Sequence, residues 1–318
     1  MEKNLTNEIL KEIRKVIVGK DKAVLKVLTA ILAGGHILLE DVPGVGKTTL
    51  ALAFSKVLGL DYRRVQFTPD TMPSDITGFS LYDKSKNTFV YQPGPVMTNL
   101  LLADEINRTS SKTQAALLEA MEEKNVTIDG KTHSLPDPFV VIATQNPVGS
   151  AGTQMLPSSQ LDRFMIRLTM GYPDFESQIN ILKERHLSDP LDSAEQIVNK
   201  QQLLSLQREA LNTFISDPIY EYITRLAEAT REHSMTELGL SPRGALSVCR
   251  FAKAYAYLNG RDYVVPQDIM EIFSDAAAHR LVLSRKARIS EKTSQSIIAE
   301  ILDETSVPAV EIKQEKKQ

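Results

Sequence analysis

Hydrophobic positions in the first half of the chain form short apolar runs that alternate with segments of helical spacing. Runs of strand length lie at 36–40, 62–67, 99–103, 139–143 and 164–168. Between several of them an apolar residue recurs every three or four positions, which is typical of amphipathic helices. Strands joined by helical crossovers form parallel sheets covered on both faces. We therefore expect an α/β core in which a five-stranded parallel sheet lies between helices.

Two further pairs of β-like runs interrupt this alternation. The first pair, 78–82 and 87–91, is joined by a polar linker at 83–86. The second pair surrounds Asp129-Gly130, a dipeptide that strongly favours a two-residue hairpin turn. We expect two β-hairpin inserts in the core, at about 78–91 and 126–135.

The second half of the chain is helical in pattern. After Tyr172-Pro173, helical spacing recurs at 175–186, 200–214, 218–235, 242–259, 266–283 and 293–302. This pattern predicts a core domain at 1–172 and a smaller all-α lid domain at 173–304. The remaining residues, 305–318, are polar, and we expect them to be disordered.

Composition narrows the class of protein. The 318 residues suit two domains, at roughly 150 residues per domain. The net charge of −3 gives no broad basic surface, so we expect no nucleic-acid partner. Cys249 is the single cysteine, which excludes an internal disulfide. No apolar run approaches the roughly 18 residues of a membrane helix, and the first residues lack a signal-peptide core. We expect a cytoplasmic protein without membrane insertion.

A glycine-containing loop follows the first strand and precedes a helix. It reads DVPGVGKT at 41–48. Its glycines allow backbone amides to close around phosphate oxygens, Lys47 can reach the β- and γ-phosphates, and the Thr48 hydroxyl can hold Mg²⁺. Asp41 stands where the common pattern has glycine, so we expect its carboxylate to face away from the phosphates. The alternative is a glycine-rich turn that binds no ligand.

Two acidic residues end the third apolar strand, which reads LLLADE at 100–105. Ligands of open α/β sheets bind beyond the carboxyl ends of the strands. There Asp104 would orient the Mg²⁺ shell, and Glu105 would polarise an attacking water molecule. The alternative is an acidic helix cap, which a phosphate loop upstream makes less plausible.

An amide and two arginines complete the candidate chemistry. Asn146 follows the fourth strand and can bind both a γ-phosphate and the water, or else it is a turn residue before Pro147. Arg163 precedes the fifth strand and can neutralise a transferring phosphoryl group, or else it forms an ion pair with Asp162 or another acid. Arg243 follows Ser241 at a predicted helix start. There it can bind a phosphate, or else it is an arginine on the surface of a capped helix.

Several stretches together resemble the MoxR family of AAA+ ATPases. In the family's order they are LEDVPGVGKT (39–48), PGP (93–95), LADEINR (102–108), KTQAALLEAM (112–121), IATQNP (142–147) and LDRF (161–164). The match covers the first 170 residues closely. It extends more loosely through SPR (241–243) to about residue 285. The resemblance implies a P-loop AAA+ core followed by a helical lid.

The resemblance also implies roles for the matched positions. Asp104 and Glu105 resemble Walker B, Asn146 resembles sensor 1, Arg163 an arginine finger and Arg243 sensor 2. Thr48 and Asp104 would hold the metal. The implied nucleotide-binding positions, which include Walker A and the adenine-contacting turn, are Val18, Gly19, Pro43, Gly44, Val45, Gly46, Lys47, Thr48 and Thr49. Whether Arg243 acts in its own subunit or across an interface stays open.

The implied activity is hydrolysis of ATP to ADP with Mg²⁺. It would drive chaperone-like remodelling or maturation of protein partners. A finger arginine acts on a neighbour's nucleotide, so the resemblance implies a homo-oligomeric ring, usually a hexamer. Members of the family often work with a protein that carries a von Willebrand factor A domain. Two alternatives are a nucleic-acid-stimulated motor and a nucleotide-gated scaffold that does not hydrolyse ATP.

Overall fold

The computed structural model describes residues 2–146, 156–184 and 189–309. The chain divides into two compact units, Met1–Arg208 and Glu209–Gln318. Within the described residues, no helix has the length and apolar character that crossing a bilayer requires.

The first unit is built from alternating strands and helices, as the pattern predicts. Its helices are α1 (Glu2–Val16), α2 (Asp21–Leu32), α3 (Lys47–Val57), α4 (Pro73–Thr77), α5 (Ser111–Glu123), α6 (Ser158–Leu161), α7 (Phe175–Glu184), α8 (Pro190–Ser193) and α9 (Lys200–Leu211), the last of which runs into the second unit. Its strands are β1 (Ile37–Glu40), β2 (Tyr62–Gln66), β3 (Gly78–Asp83), β4 (Thr88–Pro93), β5 (Leu100–Asp104), β6 (Asn125–Ile128), β7 (Lys131–Ser134), β8 (Val140–Gln145) and β9 (Ile166–Leu168).

Five of these strands form one parallel sheet in the order β2-β5-β8-β1-β9. Every residue of β5 and β8 is buried, as expected for central strands covered on both faces. In the register, Leu101 lies opposite Val141 and Leu38 lies opposite Ala143. The five-stranded parallel sheet is therefore confirmed. Because all its strands run the same way, the carboxyl ends of β1, β5 and β8 lie side by side.

The two predicted hairpins are also present. β3 pairs with β4 and β6 pairs with β7, both antiparallel. Asp129 and Gly130 have φ angles of +49° and +76°, the left-handed conformation that the predicted turn requires. Tyr91 of β4 stacks on His133 of β7 with ring centroids 4.1 Å apart, so the hairpins contact each other.

The buried His36 ties the sheet to α5. Its Nδ1 accepts a hydrogen bond from the Val141 amide at 3.0 Å, so Nε2 carries the proton and donates to the Met121 carbonyl at 3.2 Å. Burial lowers the pKa of His36 to about 4. The ring is therefore a neutral structural link between β1, β8 and α5.

Residues 173–208 belong to the first unit, although the sequence pattern placed them in the second domain. The Ile197 amide donates to the Val57 carbonyl at 2.9 Å, and the Glu195 amide donates to Glu12 at 3.0 Å. The division therefore falls after Arg208 instead of after Tyr172. Periodicity predicts a helix and its apolar face, but it does not say which domain covers that face. The last two residues of the helix predicted at 175–186 lie outside the described ranges.

The second unit is mainly helical. It contains α10 (Asp217–Glu232), β10 (Thr236–Leu238), α11 (Pro242–Leu258), α12 (Pro266–Ala277), β11 (Val282–Leu283), α13 (Arg285–Ile289) and α14 (Ser294–Glu304). The antiparallel pair β10–β11 is an unpredicted addition, since two or three residues are too few for an alternating pattern to show. Residues 310–318 of the predicted tail lie outside the described residues.

Candidate active site

The loop between β1 and α3 has the shape of an anion cradle. Gly44 and Gly46 have φ angles of +85° and +93°, and Gly46 caps the N-terminus of α3. A Cβ atom built at either glycine would meet open space, with none of the atoms described beyond its chain neighbours within 4 Å. The first amides of a helix lack partners within the helix and attract anions. The loop therefore fits a phosphate group.

Lys47 begins α3 with its ammonium group held at this loop. Only 8% of the residue is exposed, and Nζ donates to the backbone carbonyl of Asp41 at 2.7 Å. Burial lowers the pKa of Lys47, while the charges of Asp41, Asp104 and Glu105 act in the opposite direction. The cation thus lies among carboxylates at the point where the sequence predicts phosphate oxygens.

Asp41 directs its carboxylate to the residues that follow β9. Oδ2 accepts hydrogen bonds from the amides of Met170 and Gly171, each at 2.6 Å, and Oδ1 accepts from the Val42 amide at 2.9 Å. The side chain is buried. These contacts agree with the expectation that the carboxylate faces away from the cradle at Gly44 and Gly46.

Asp104, at the end of β5, contacts both neighbouring strands. Oδ1 accepts from the hydroxyl of Thr144 on β8, and Oδ2 accepts from the guanidinium of Arg64 on β2, both at 2.6 Å. The sequence reasoning missed both partners. Thr144 could have been suspected, because it is a hydroxyl residue near the end of an apolar strand. The pairing of Asp104 with Arg64 depends on the order of the strands, which could not be predicted from the sequence.

Glu105 is held in a strained backbone conformation by three polar neighbours. Its φ of +57° lies in the left-handed region, which is unusual for a residue with a side chain. Oε2 accepts from Arg108 at 2.8 Å, Oε1 accepts from Asn146 at 3.0 Å, and the Glu105 amide donates to Thr144 at 2.9 Å. The bonds from Arg108 and then Asn146 lower the pKa of Glu105 against the opposing effect of burial. The carboxylate is therefore ionised at neutral pH.

Asn146 is positioned by Asn107, which the sequence reasoning also missed. The Asn107 side chain donates to the Asn146 carbonyl at 3.2 Å and accepts from the Asn146 amide at 3.4 Å. Asn107 and Arg108 lie in the 3₁₀ turn Ile106–Arg108 directly after Glu105. An ion pair between Glu105 and Arg108 could have been predicted from their three-residue spacing in the sequence.

The other predicted site residues lie in three places. Arg163 donates to Glu122 of α5 at 2.8 Å, so within this chain it forms an ion pair, though not with Asp162. Val18 and Gly19 form the turn between α1 and α2, where a side chain at Gly19 would overlap Ser177 of α7. Arg243 is exposed in the first turn of α11 in the second unit, after an N-cap by Ser241 that confirms the predicted helix start.

The oxygen donors at the site suit a hard divalent cation that arrives with phosphate. Mg²⁺ is usually held by one or two protein oxygens together with substrate phosphate oxygens. Thr48 and Asp104 supply a hydroxyl and a carboxylate, and a carboxylate with one partner on each oxygen retains free lone pairs. Among the described residues, no cluster of three or more acidic, histidine or cysteine side chains offers a separate metal site.

Comparisons with known proteins agree with this architecture. The model of the ATPase family associated with various cellular activities (AAA) matches residues 36–166, and the AAA lid domain model matches residues 228–301. A crystal structure of a Cytophaga hutchinsonii protein superposes with a TM-score of 0.90 at 39% identity, over 97% of this chain and 96% of that one.

Two curated relatives match over nearly the whole chain. The protein YeaC of Bacillus subtilis (strain 168) is 47% identical over 96% of this chain and 95% of its own length. Chaperone MoxR1 of Mycobacterium tuberculosis is 40% identical over 94% of this chain and 81% of its own length. With both domain models matched in order and a MoxR-named relative at this identity, the chain belongs to the MoxR family of AAA+ ATPases.

Proposed function

We propose that this chain binds ATP with Mg²⁺ and hydrolyses it to ADP and phosphate. The observation that carries the proposal is the ionised Glu105, oriented by Arg108 and Asn146 beside Asp104. These groups follow β5 and β8, which flank one another in the sheet, and β8 also adjoins the strand that leads into the phosphate loop. An oriented carboxylate beyond a phosphate cradle is the arrangement that hydrolysis of a nucleotide needs.

Each side chain has a distinct task in this proposal. The backbone amides of Gly44 to Thr49 donate to the nucleotide phosphates, and Pro43 and the turn at Val18 and Gly19 also contact the nucleotide. Lys47 moves from the Asp41 carbonyl to a phosphate oxygen. Thr48 and Asp104 would hold Mg²⁺, and the ion would neutralise charge on the phosphates. Glu105 polarises the attacking water, and Asn146 orients it.

The proposed enzyme is a ring of identical subunits, most simply a hexamer. Arg163 does not take part in the hydrogen bonds described above for Asp104, Glu105 and Asn146. Its guanidinium forms an ion pair with Glu122 and is only partly exposed. An arginine that exchanges this partner for a neighbour's nucleotide would complete the site across an interface. Arg243 would sense the nucleotide from the lid, in its own subunit or across the interface.

The proposed work of the ring is chaperone-like remodelling or maturation of protein partners in the cytoplasm. The name Chaperone MoxR1 of the Mycobacterium tuberculosis relative supports a protein client. A von Willebrand factor A domain protein is the partner that the family resemblance suggests. The net charge of −3 offers no electrostatic attraction for nucleic acid.

The experiment that tests the proposal compares wild type with Lys47→Ala, measured by titration with a fluorescent ATP analogue and by phosphate release. The wild type should bind and turn over ATP, while Lys47→Ala should lose both. Lys56→Ala is the matched control, because Lys56 lies at the other end of α3 and donates to Leu191 and Asp192. Wild type that neither binds nor hydrolyses ATP would refute the proposal.

A further inference from the structure

Asp41 connects two segments that are far apart in the sequence. The residue is 5% exposed, and its two carboxylate oxygens together accept from three backbone amides, those of Val42, Met170 and Gly171. The first amide belongs to the phosphate loop and the other two follow β9. Hydrogen bonds to an ionised acceptor are roughly twice as strong as neutral ones. The carboxylate therefore fastens the residues after β9 to the loop.

The backbone of Asp41 takes part in the same junction. Its carbonyl accepts from Nζ of Lys47 at 2.7 Å, and its amide donates at 3.3 Å to the carbonyl of Gln145, next to Asn146. One residue thus contacts the phosphate-binding lysine, the strand that precedes Asn146 and the chain at Met170 and Gly171.

The chain after Gly171 leads to the other end of the nucleotide site. The Tyr172 carbonyl accepts from Nζ of Lys20 at 2.6 Å, and Lys20 follows Gly19 of the turn assigned to adenine. Gly19 itself packs against Ser177 of α7. The phosphate loop, Asp41, the segment 170–172 and the turn at 18–20 therefore form one continuous path within the first unit.

Glycine, the residue that the common phosphate-loop pattern has at this position, could not make these contacts. It would satisfy the turn, but it would leave the Met170 and Gly171 amides without their acceptor. The acid at position 41 is thus explained by its hydrogen bonds to the segment after β9, and the cradle at Gly44 and Gly46 does not require it.

We propose that Asp41 is a positioning residue that couples occupation of the phosphate loop to the segment 170–172. The inference rests on the proposed ATP site, because the event that starts the coupling is the transfer of Lys47 from the Asp41 carbonyl to a phosphate. Once the lysine has left, the junction at Asp41 rearranges, and the hydrogen bonds to Met170 and Gly171 change with it.

The test measures hydrogen exchange at the Met170 and Gly171 amides, with and without a saturating non-hydrolysable ATP analogue. In wild type the analogue should change exchange at these amides by about tenfold or more, as the strength of charge-assisted bonds allows. In Asp41→Gly that nucleotide-dependent change should be lost, and in Asp41→Asn, whose amide oxygen accepts without a charge, it should be reduced, although the analogue still binds at saturation. A purely structural role would alter exchange equally with and without nucleotide.

The matched control is Asp83→Gly, because Asp83 also accepts from two backbone amides, those of Ser85 and Lys86, at a hairpin tip. It should retain the wild-type response. Asp41→Asn conserves side-chain size and serves if Asp41→Gly does not fold. A full response in Asp41→Asn, or analogue binding by wild type with no change at Met170 and Gly171, overturns the coupling alone. Failure of wild type to bind the analogue overturns the proposed function as well.

Discussion

The side-chain amide of Asn146 donates a hydrogen bond to Oε1 of Glu105 at 3.0 Å, although the two residues follow different strands of the sheet. The parallel pairing of β5 with β8 brings them together. This contact joins the residue proposed to polarise water to the residue proposed to orient it.

Replacing Asn146 should therefore slow turnover without preventing binding. We expect Asn146→Ala to lower kcat by about 10², a typical loss when a group that assists proton transfer is misplaced. Titration with an ATP analogue and a phosphate-release assay separate the two effects. Asn125→Ala is the control, since the Asn125 side chain donates to the nearby Glu123 carbonyl. If Asn146→Ala kept the wild-type kcat, Asn146 would have no role in the mechanism.

Removal of Arg108 should shift the acid limb of the pH–rate profile. The Arg108 bond is the largest cause that lowers the pKa of Glu105. Without it the pKa rises, so the Glu105 carboxylate is protonated at higher pH, and kcat/KM should begin to fall at a higher pH than in wild type. Arg108→Lys should give a smaller shift than Arg108→Ala. An acid limb that does not move in Arg108→Ala would argue against Glu105 as the titrating group.

In the wild type, Arg64 should compete with Mg²⁺ for Asp104, because its guanidinium contacts Oδ2 of that carboxylate. Its side chain is 46% exposed, so solvent screens the pair. We expect Arg64→Ala to lower the Mg²⁺ concentration needed for nucleotide binding by about two- to fivefold, the range for exposed ion pairs. Arg63→Ala, the exposed neighbour on the same strand, should leave the Mg²⁺ requirement unchanged. A higher Mg²⁺ requirement in Arg64→Ala would show instead that Arg64 supports the metal site.

His36 should make the first unit less stable in acid. Its folded-state pKa is about 4, against an ordinary value of 6.5. Between these values the unfolded chain binds a proton that the folded chain does not, so the free energy of unfolding rises with pH, by at most ~1.4 kcal/mol per unit. This contribution is complete above pH 6.5 and is lost as the pH falls towards 4.

His36→Gln tests this dependence, because glutamine can donate to Met121 and accept from Val141 without titrating. Urea unfolding of the variant should show a shallower dependence on pH across that window. His133→Gln, on the β6–β7 hairpin, should keep the wild-type dependence. Equal slopes for wild type and His36→Gln would mean that another group governs acid stability.

Arg163 should act on a neighbouring subunit. We expect Arg163→Ala to lose turnover, and mixing it with Glu105→Gln subunits, which still carry Arg163, to restore part of it. In such a mixed ring an Arg163→Ala subunit with an intact Glu105 receives the arginine from its neighbour. The measurement is phosphate release as a function of the mixing ratio. No recovery at any ratio would place the action of Arg163 within its own subunit.

The sequence predicted the fold, and it predicted the edge of the sheet at which the acidic candidates lie, because both follow from local pattern. The apolar runs at 36–40, 99–103 and 139–143 indicate parallel strands, and parallel strands carry the polar residues that follow them to one edge of the sheet. Asp104, Glu105 and Asn146 could be placed at this edge without knowledge of the strand order.

What the sequence did not predict depends on contacts between distant segments. Arg64 reaches Asp104 only because β2 adjoins β5, and Thr144 does so only because β8 lies on the other side. The anchoring of Asp41 at Met170 and Gly171 spans more than a hundred residues. Residues 173–208 show helical spacing whichever unit they pack against.

The central claim is that Glu105 drives hydrolysis of ATP held by the loop at Lys47. Its most direct test is Glu105→Gln, measured by binding of an ATP analogue and by phosphate release, with the exposed Glu119→Gln on α5 as the matched control. We predict that Glu105→Gln binds the analogue like wild type but releases no phosphate above background, while Glu119→Gln does both. Unchanged phosphate release by Glu105→Gln would contradict the account.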